Sequence, residues 1–227
     1  MTAPDLLAQA QAAGRQALSE FEAKRLLSGY DIPFAAEREA ADPAAACAAA
    51  REIGFPVAVK GCGEAFTHKT ELALVALDLA DTDAVAGAAE AILGRMQGRG
   101  SLLVQAMVPG RREFLLGMHR DPQYGPLVTF GLGGVFAEAI DDVAMRLAPL
   151  GERDAYAMLA ETRAGALLDD VRGMARVDRP ALVAAILGMS RLGVERAEVA
   201  AVDVNPLIAT DDGRIVGVDA LVLLAQP

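Results

Sequence analysis

Residues 55–79, FPVAVKGCGEAFTHKTELALVALDL, place two apolar runs on either side of a polar loop. The runs cover 56–59 and 72–79, and both have the length and composition of β-strands. Strand, loop and strand in this order predict a β-hairpin, and the rest of the chain is interpreted outward from it.

The loop of this hairpin gathers Lys60, Gly61, Gly63, His68 and Lys69. The chain has 21 basic residues, yet only three of them are lysines, and two of the three lie here. Glycine lets a backbone approach a phosphate closely, and each lysine supplies a compact positive charge. The loop is therefore typical of a phosphate-binding hairpin, although a surface hairpin with a solvated, charged tip fits the same residues.

Composition limits the class of protein. The 227 residues fit one large domain or two small lobes, and no apolar run approaches the roughly 18 residues of a membrane span. The N-terminus lacks the pattern of a signal peptide, and two cysteines form no disulfide framework, so we expect a cytoplasmic protein. A net charge of −10 argues against nucleic acid as a partner, and an anionic nucleotide would need a local positive pocket.

The remaining segments alternate between helical and extended patterns. Helices are predicted at 19–27, 42–54, 83–96, 152–161, 164–171 and 178–193. Strands are predicted at 31–34, 56–59, 72–79, 101–108, 112–118, 127–130, 135–140, 198–209 and 214–224. The pattern changes near 108–110. We therefore expect an α+β fold with an N-terminal lead-in at 1–18 and two lobes at 19–108 and 109–227.

The final hairpin places three oxygen-bearing side chains on one patch of sheet. Asp203 and Asn205 are two residues apart on a strand and therefore share a face. The Asp-Asp-Gly turn that follows at 211–213 brings Asp219 close to the position opposite Asn205. Two carboxylates and an amide oxygen suit Mg²⁺, whereas buried carboxylates without a cation are costly. A solvated sheet face is the alternative interpretation.

Other polar residues carry weaker signals when they are considered alone. The run of glycines at 131–134 reads as a tight connection between strands. Glu113 and Arg146 read as halves of surface ion pairs, and His119 reads as a structural residue. Cys62 lies in the loop, but no surrounding pattern supports a nucleophile.

Five segments in order carry a resemblance to a known family. They are SEFEAKRLLSGYDIPF (19–34), GFPVAVKG (54–61) with HKTE (68–71), LLVQAMVPGRREFLLGMHRDPQYGP (102–126), FGLGGVFAEAIDDVAMRLAPL (130–150) and VDVNPL (202–207) with GVDA (217–220). Together they resemble the ATP-grasp domain of NDP-forming acyl-CoA synthetases, the β subunit of ADP-forming acetate–CoA ligase. A more distant likeness is to the β subunit of succinyl-CoA synthetase. The resemblance implies an ATP-grasp fold of two α+β lobes with the nucleotide between them.

The resemblance also implies which residues bind ATP or ADP. Lys60 resembles the lysine that holds the phosphates. Gln105, Met107 and Val108 belong to a segment that resembles the hinge whose backbone meets the adenine edge. Glu113 resembles a nucleotide-binding glutamate just beyond that hinge.

Roles in metal binding and catalysis follow from the same resemblance. Asp203, Asn205 and Asp219 resemble Mg²⁺ ligands, which agrees with the argument from strand geometry. Arg146 resembles a basic residue near the terminal phosphate. His68 resembles the histidine that carries a phosphoryl group between subunits, and imidazole is a nucleophile near neutral pH.

The implied reaction is reversible. A partner α subunit, which handles CoA and the acyl group, converts acyl-CoA and phosphate to acyl phosphate and CoA. A phosphohistidine then carries the phosphoryl group to Mg²⁺-bound ADP on this chain. We therefore expect a ligase subunit that acts in a hetero-oligomer. The acyl group, the choice between ADP and GDP and the subunit stoichiometry are left open by the sequence.

Two departures from the family pattern keep alternatives open. Ala73 and Leu74 replace a glycine pair, and a leucine in a close-approach loop would obstruct a backbone contact to phosphate. Ala201 replaces a frequent glutamate two positions before Asp203. The alternatives are a non-catalytic or degenerate nucleotide-binding scaffold, and an ATP-grasp carboxylate ligase that acts alone. The HKTE segment disfavours the second, because a stand-alone ligase has no use for a relay histidine.

Overall fold

The computed structural model of the protein describes residues 3–63, 73–134, 142–170 and 173–225. Contacts group the chain into two compact units. The first unit is Met1–Leu18, Glu22–Phe34 and Val108–Pro227, and the second is Ser19–Phe21 and Ala35–Met107. The contacts therefore assign residues 22–34 to the same unit as residues 108–227. The predicted lobes at 19–108 and 109–227 stay a prediction.

Most of the helices begin and end where the sequence indicates. The α-helices of the described ranges, α1 to α6, are Ala3–Ala12, Glu20–Ser28, Pro43–Ile53, Thr82–Met96, Glu152–Glu161 and Arg179–Glu195. The segment predicted as a helix at 164–171 is instead a short 3₁₀ helix, Arg163–Leu168. Asp42, Asp81 and Asp178 cap three of the α-helices by accepting a backbone N–H three residues later. None of these helices is both long and apolar enough to cross a membrane.

The strands agree less closely with the predictions. Strands β1 to β10 are Glu37–Ala40, Val57–Cys62, Val75–Leu79, Ser101–Ala106, Gly110–Asp121, Gly125–Leu132, Val143–Leu147, Val199–Thr210, Ile215–Gly217 and Leu221–Leu224. The prediction of a strand at 31–34 was wrong, because only an isolated bridge from Phe34 to Gly217 forms there. β1 and β7 were not predicted, and the predicted strand at 135–140 lies outside the described residues.

The second unit is built on a four-stranded antiparallel sheet of order β1-β4-β2-β3. Val57 and Val59 of β2 and Val104 of β4 pack into a core with α3 and α4. Because side chains alternate along a strand, Lys60 projects to the opposite face of this sheet. Lys60 pairs in register with Leu103 on one side and Val75 on the other.

The first unit contains the larger sheet, of order β10-β8-β5-β6-β7, with β9 also paired to β8. One face of this sheet, the helix face, packs against α5 and α6 through side chains that include Phe114, Phe130, Val202 and Val204. The rings of Phe114 and Phe130 stack with centroids 5.7 Å apart. The residues between these positions project to the other side, the far face.

A buried arginine joins the first unit's sheet to the segment that follows the 3₁₀ helix. Arg112 of β5 is 2% exposed. Its guanidinium donates to the carbonyl oxygens of Leu167 (3.1 Å), Asp169 (3.3 Å), Ala175 (2.7 Å) and Thr210 (3.4 Å). The planar fork of an arginine can reach several acceptors at once, so one side chain satisfies carbonyls from three separate segments.

Replacing Arg112 should therefore destabilise the chain strongly. We expect Arg112→Met to lower the free energy of unfolding by about 3 kcal/mol, because buried carbonyls lose their donor. Arg112→Lys should recover little of this loss, since a single ammonium lacks the fork. Urea unfolding of the full chain measures the effect. The exposed neighbour provides the control, and Arg111→Met should change the free energy by less than about 0.5 kcal/mol. Equal losses for the two positions would refute this role of Arg112.

Candidate functional site

The register of the last strands brings the predicted oxygen ligands together. Asp203 pairs with Leu221 across the ladder of β8 and β10. β9 pairs with β8 so that Gly217 lies opposite Leu207. When this pairing is continued by two residues, Asp219 lies opposite Asn205. The three side chains thus meet on one patch, the oxygen patch (Asp203, Asn205, Asp219), as the alternation of the strand and the tight turn predicted.

The oxygen patch lies on the far face of the larger sheet. Val202 and Val204 point into the core and are at most 4% exposed. Asp203 and Asn205 therefore point away from the helices, because successive side chains of a strand alternate. Packing of the valines fixes the direction of the polar residues.

The glycine-rich segment at 131–134 connects two strands and also contacts the oxygen patch. The backbone N–H of Gly134 donates to Oδ1 of Asn205 at 3.0 Å. The N–H of Gly133 donates to the carbonyl oxygen of Glu113 at 2.9 Å. The turn therefore orients the amide of Asn205 and ties it to the strand that carries Glu113.

Gly134 is required at this turn for a steric reason. Its φ is +70°, and a Cβ at this position would collide with the carboxylate of Glu113. Glu113 therefore lies against Gly134, whose N–H holds Asn205. The structure thus connects the predicted nucleotide-binding glutamate to the oxygen patch through a single glycine.

The electrostatics of the oxygen patch disfavour two negative charges. Partial removal from water raises the pKa of Asp203, and the neighbouring carboxylate of Asp219 raises this pKa further. Asp203 as a whole residue is exposed, so crowding of its carboxyl group by neighbouring atoms, and not enclosure in the core, removes water from it. A nearby cation would relieve this repulsion.

The donor set of the oxygen patch fits Mg²⁺. The described residues hold no group of three or more His, Cys, Asp or Glu side chains that could share a metal. The oxygen patch has two carboxylates and an amide instead, and Mg²⁺ binds through one or two carboxylates together with phosphate oxygens and water. The amide oxygen of Asn205 has two lone pairs, so its bond to Gly134 leaves it able to accept a further partner.

Arg146 is not brought to the oxygen patch. It pairs in register with Val128, a residue of the buried core, so its side chain lies on the helix face. Its guanidinium forms an ion pair with Glu161 at the end of α5 and donates to the carbonyl of Met145. The strand alternation that turns Asp203 to the far face turns Arg146 the other way.

Lys60 lies in the second unit and has a carboxylate partner. Its Nζ lies 2.8 Å from Oε1 of Glu20, and the side chains are 8% and 1% exposed. Sequence reasoning missed this pair, because its partners are 40 residues apart and no local pattern connects them.

The predicted hinge is held by bonds within the second unit as far as Met107. The side-chain amide of Gln105 donates to Oε2 of Glu37 at 3.2 Å. The N–H of Met107 donates to the carbonyl oxygen of Pro56 at 3.2 Å. Val108 is the first residue of the following segment of the other unit.

The phosphate loop is only partly within the described ranges. His68 and Lys69 lie outside them. Leu74 is 1% exposed and packs in the core of the second unit, while its carbonyl accepts the N–H of Gly61 at 2.8 Å. The expectation that the Leu74 side chain obstructs a phosphate was therefore wrong, because this side chain fills the core.

Comparison with known proteins identifies the relatives of the chain. The ATP-grasp domain family matches residues 9–224. The β subunit of acetate–CoA ligase (ADP-forming) I from Pyrococcus furiosus is 33% identical over 228 residues, which cover 98% of this chain and 97% of that protein. Acetate–CoA ligase (ADP-forming) I from Archaeoglobus fulgidus is 36% identical over 183 residues, 78% of this chain but 26% of that protein.

A solved structure is similar over nearly the whole chain. It is the dinucleotide-forming acetyl-coenzyme A synthetase 1 of Ca. Korarchaeum cryptofilum, with a TM-score of 0.87 and 40% identity over 99% of this chain and 100% of that chain. That structure holds coenzyme A and Mg-AMPPCP, and its phosphohistidine segment points towards the nucleotide binding site.

Removing one charge of the oxygen patch should stabilise the chain in the absence of ligands. We expect Asp203→Asn to raise the melting temperature at neutral pH, because it removes the repulsion from Asp219. A carboxyl group whose pKa is raised by folding lowers stability as the pH rises from about 4 through the raised value. The gain in melting temperature from Asp203→Asn should therefore be full at pH values above the raised pKa and should vanish at pH values below about 4. Melting curves from pH 3 to 8 measure it, with Asp211→Asn as the exposed control. A loss of stability at neutral pH would contradict this account.

Substitution of Gly134 separates the cost of backbone strain at a positive φ from the cost of a steric collision with Glu113. We expect Gly134→Ala to lower the free energy of unfolding by about 1 kcal/mol more than Gly125→Ala, because the carboxylate at the end of the flexible Glu113 side chain has to move aside. Gly125 also has a positive φ (+87°), but a Cβ there would have no heavy atom within 4 Å. Both variants therefore carry the backbone penalty, and only the first displaces Glu113. Chemical unfolding measures the difference, and equal losses would mean that Glu113 moves aside at no cost.

Proposed function

We propose a function for this chain from one premise: it belongs to the ATP-grasp family, and within it to the β subunits of ADP-forming acetate–CoA ligases. The resemblance found in the sequence and the predicted ATP-grasp fold are confirmed by these relatives. The chain is the ATP-grasp subunit of an ADP-forming acyl-CoA synthetase and is a nucleotide-binding ligase subunit. A near full-length relative that is itself a separate β subunit carries this conclusion.

The proposed chemistry is phosphoryl transfer through His68. A ring nitrogen of His68 attacks the phosphorus of an acyl phosphate, and the bond to the acyl oxygen breaks to release the acid. A terminal oxygen of ADP then attacks the phosphohistidine, the P–N bond breaks, and ATP forms. The phosphohistidine segment of the Ca. Korarchaeum cryptofilum protein supports this role for the segment that contains His68.

Mg²⁺ is the proposed cofactor, and the oxygen patch is its proposed site. Asp203 and Asp219 would hold it, with Asn205 oriented by Gly134 as a further oxygen donor. The ion would bridge phosphate oxygens and neutralise their charge. The mutual repulsion of the two carboxylates supports this assignment, because a cation between them removes it.

Nucleotide contacts are proposed for the residues that the resemblance indicates. Lys60 would bind phosphate oxygens, the backbone of Gln105, Met107 and Val108 would meet the base, and Glu113 would bind the nucleotide beside Gly134. Arg146 was expected near the terminal phosphate. Its ion pair with Glu161 on the helix face favours a structural role instead.

The proposed partner is an α subunit that handles CoA and the acyl group. The Pyrococcus furiosus relative is a β subunit of almost the same length as this chain. The Archaeoglobus fulgidus relative is about four times longer than the region that matches. We infer that the functions of the remaining regions are supplied to this chain by a separate subunit, in a hetero-oligomer.

The relay is tested with the two histidines of the chain. We expect the wild type, incubated with the α subunit, Mg²⁺ and ATP labelled at the γ-phosphate, to gain an acid-labile label. His68→Gln should abolish the label and reduce acyl-CoA-dependent ATP formation to background. His119→Gln is the matched control and should retain both. Label and turnover that survive in His68→Gln would exclude His68 as the carrier and would favour the scaffold interpretation.

A further inference from the structure

The side chains of Lys60 and Glu20 form an ion pair that is almost completely buried. Nζ and Oε1 are 2.8 Å apart, and the two side chains are 8% and 1% exposed. The partners are 40 residues apart in sequence, so the pair is a tertiary contact. Both residues belong to the second unit.

Stability alone does not account for this pair. Taking two charges out of water costs several kcal/mol per ion, and well-packed apolar residues of similar volume are usually as stabilising. Glu20 is also the first residue of α2, where a carboxylate can interact with the helix dipole while it remains in water. The chain instead buries this carboxylate against a lysine.

The position of Lys60 indicates what the pair is for. Lys60 projects from β2 on the face that does not pack against α3 and α4. A lysine side chain has four rotatable bonds, so an ammonium that must meet a phosphate repeatedly in one place needs a fixed partner.

We propose that Glu20 is a positioning residue for Lys60, which rests on the proposed function in which Lys60 binds nucleotide phosphates. The carboxylate holds the ammonium in place, because Nζ lies 2.8 Å from Oε1 in a nearly closed environment. An ammonium has three N–H donors, so it can keep its bond to Glu20 and direct another donor at a phosphate oxygen. Glu20 itself would not touch the nucleotide.

The test compares two glutamates of the same helical turn. Glu20→Gln keeps the size of the side chain and removes the charge, and Glu20→Asp keeps the charge on a shorter stem. Glu22→Gln is the matched control, because the Glu22 carboxylate accepts two hydrogen bonds from Arg15 (3.0 and 2.6 Å). Calorimetric titration of the full-length chain with ADP and, separately, with adenosine, both in Mg²⁺, reports the contribution of the phosphates.

We expect Glu20→Gln to weaken ADP binding about tenfold and to leave adenosine binding unchanged. The ADP affinity of Glu20→Asp should lie between the affinities of Glu20→Gln and the wild type. The ADP affinity of Glu22→Gln should equal that of the wild type. The rate of ATP formation from ADP, measured with the α subunit present, should fall in parallel with the affinity for ADP. Unchanged ADP binding in Glu20→Gln, or an equal loss for ADP and adenosine, would overturn the proposal.

A further variant separates this inference from the function on which it rests. Lys60→Gln should weaken ADP binding at least as much as Glu20→Gln. If Lys60→Gln binds ADP like the wild type, the phosphate-binding role of Lys60 fails, and the role of Glu20 fails with it. If Lys60→Gln is weakened while Glu20→Gln is not, only the role of Glu20 is rejected. Thermal melting checks each variant, and failure of both Glu20 variants to fold would assign Glu20 a purely structural role.

Discussion

The two-residue alternation of β8 in its antiparallel register is the constraint on which the oxygen patch depends. Val202 and Val204 are buried on the helix face, and this burial directs Asp203 and Asn205 to the far face. A slip of one residue would bury the polar side chains and expose the valines, so the core strongly specifies the register. The packing that stabilises the sheet therefore also positions the proposed Mg²⁺ ligands.

Charges that leave water are compensated in different ways in the two units. Arg112 is satisfied by backbone carbonyls, and Lys60 is matched by Glu20. Asp203 differs, because partial removal from water and the neighbouring carboxylate of Asp219 both raise its pKa. The hydrogen bonds of Arg112 stabilise the fold, whereas the repulsion between the two carboxylates lowers stability. Such a cost at one place is typical of a site that is built for a ligand.

The glycine turn at 133–134 links local backbone freedom to the geometry of the oxygen patch. Gly134 adopts a positive φ, lies against Glu113 and gives its N–H to Asn205. A side chain at this position would displace the carboxylate of Glu113 and would strain the backbone at a positive φ. The turn thus brings a residue of β5 and a residue of β8 into one arrangement, although they are far apart in the sequence.

Local pattern was sufficient for most helices, for the hairpin at 57–79 and for the oxygen patch, because periodicity, helix caps and a tight turn are encoded by neighbouring residues. The short edge strands β1 and β7 were missed, since edge strands have few buried positions and depend on backbone pairing. Only the tertiary structure decided that Leu74 fills the core, that Arg146 lies on the helix face and that Glu20 meets Lys60. These outcomes depend on contacts between distant segments, and no local pattern specifies which distant side chain meets which.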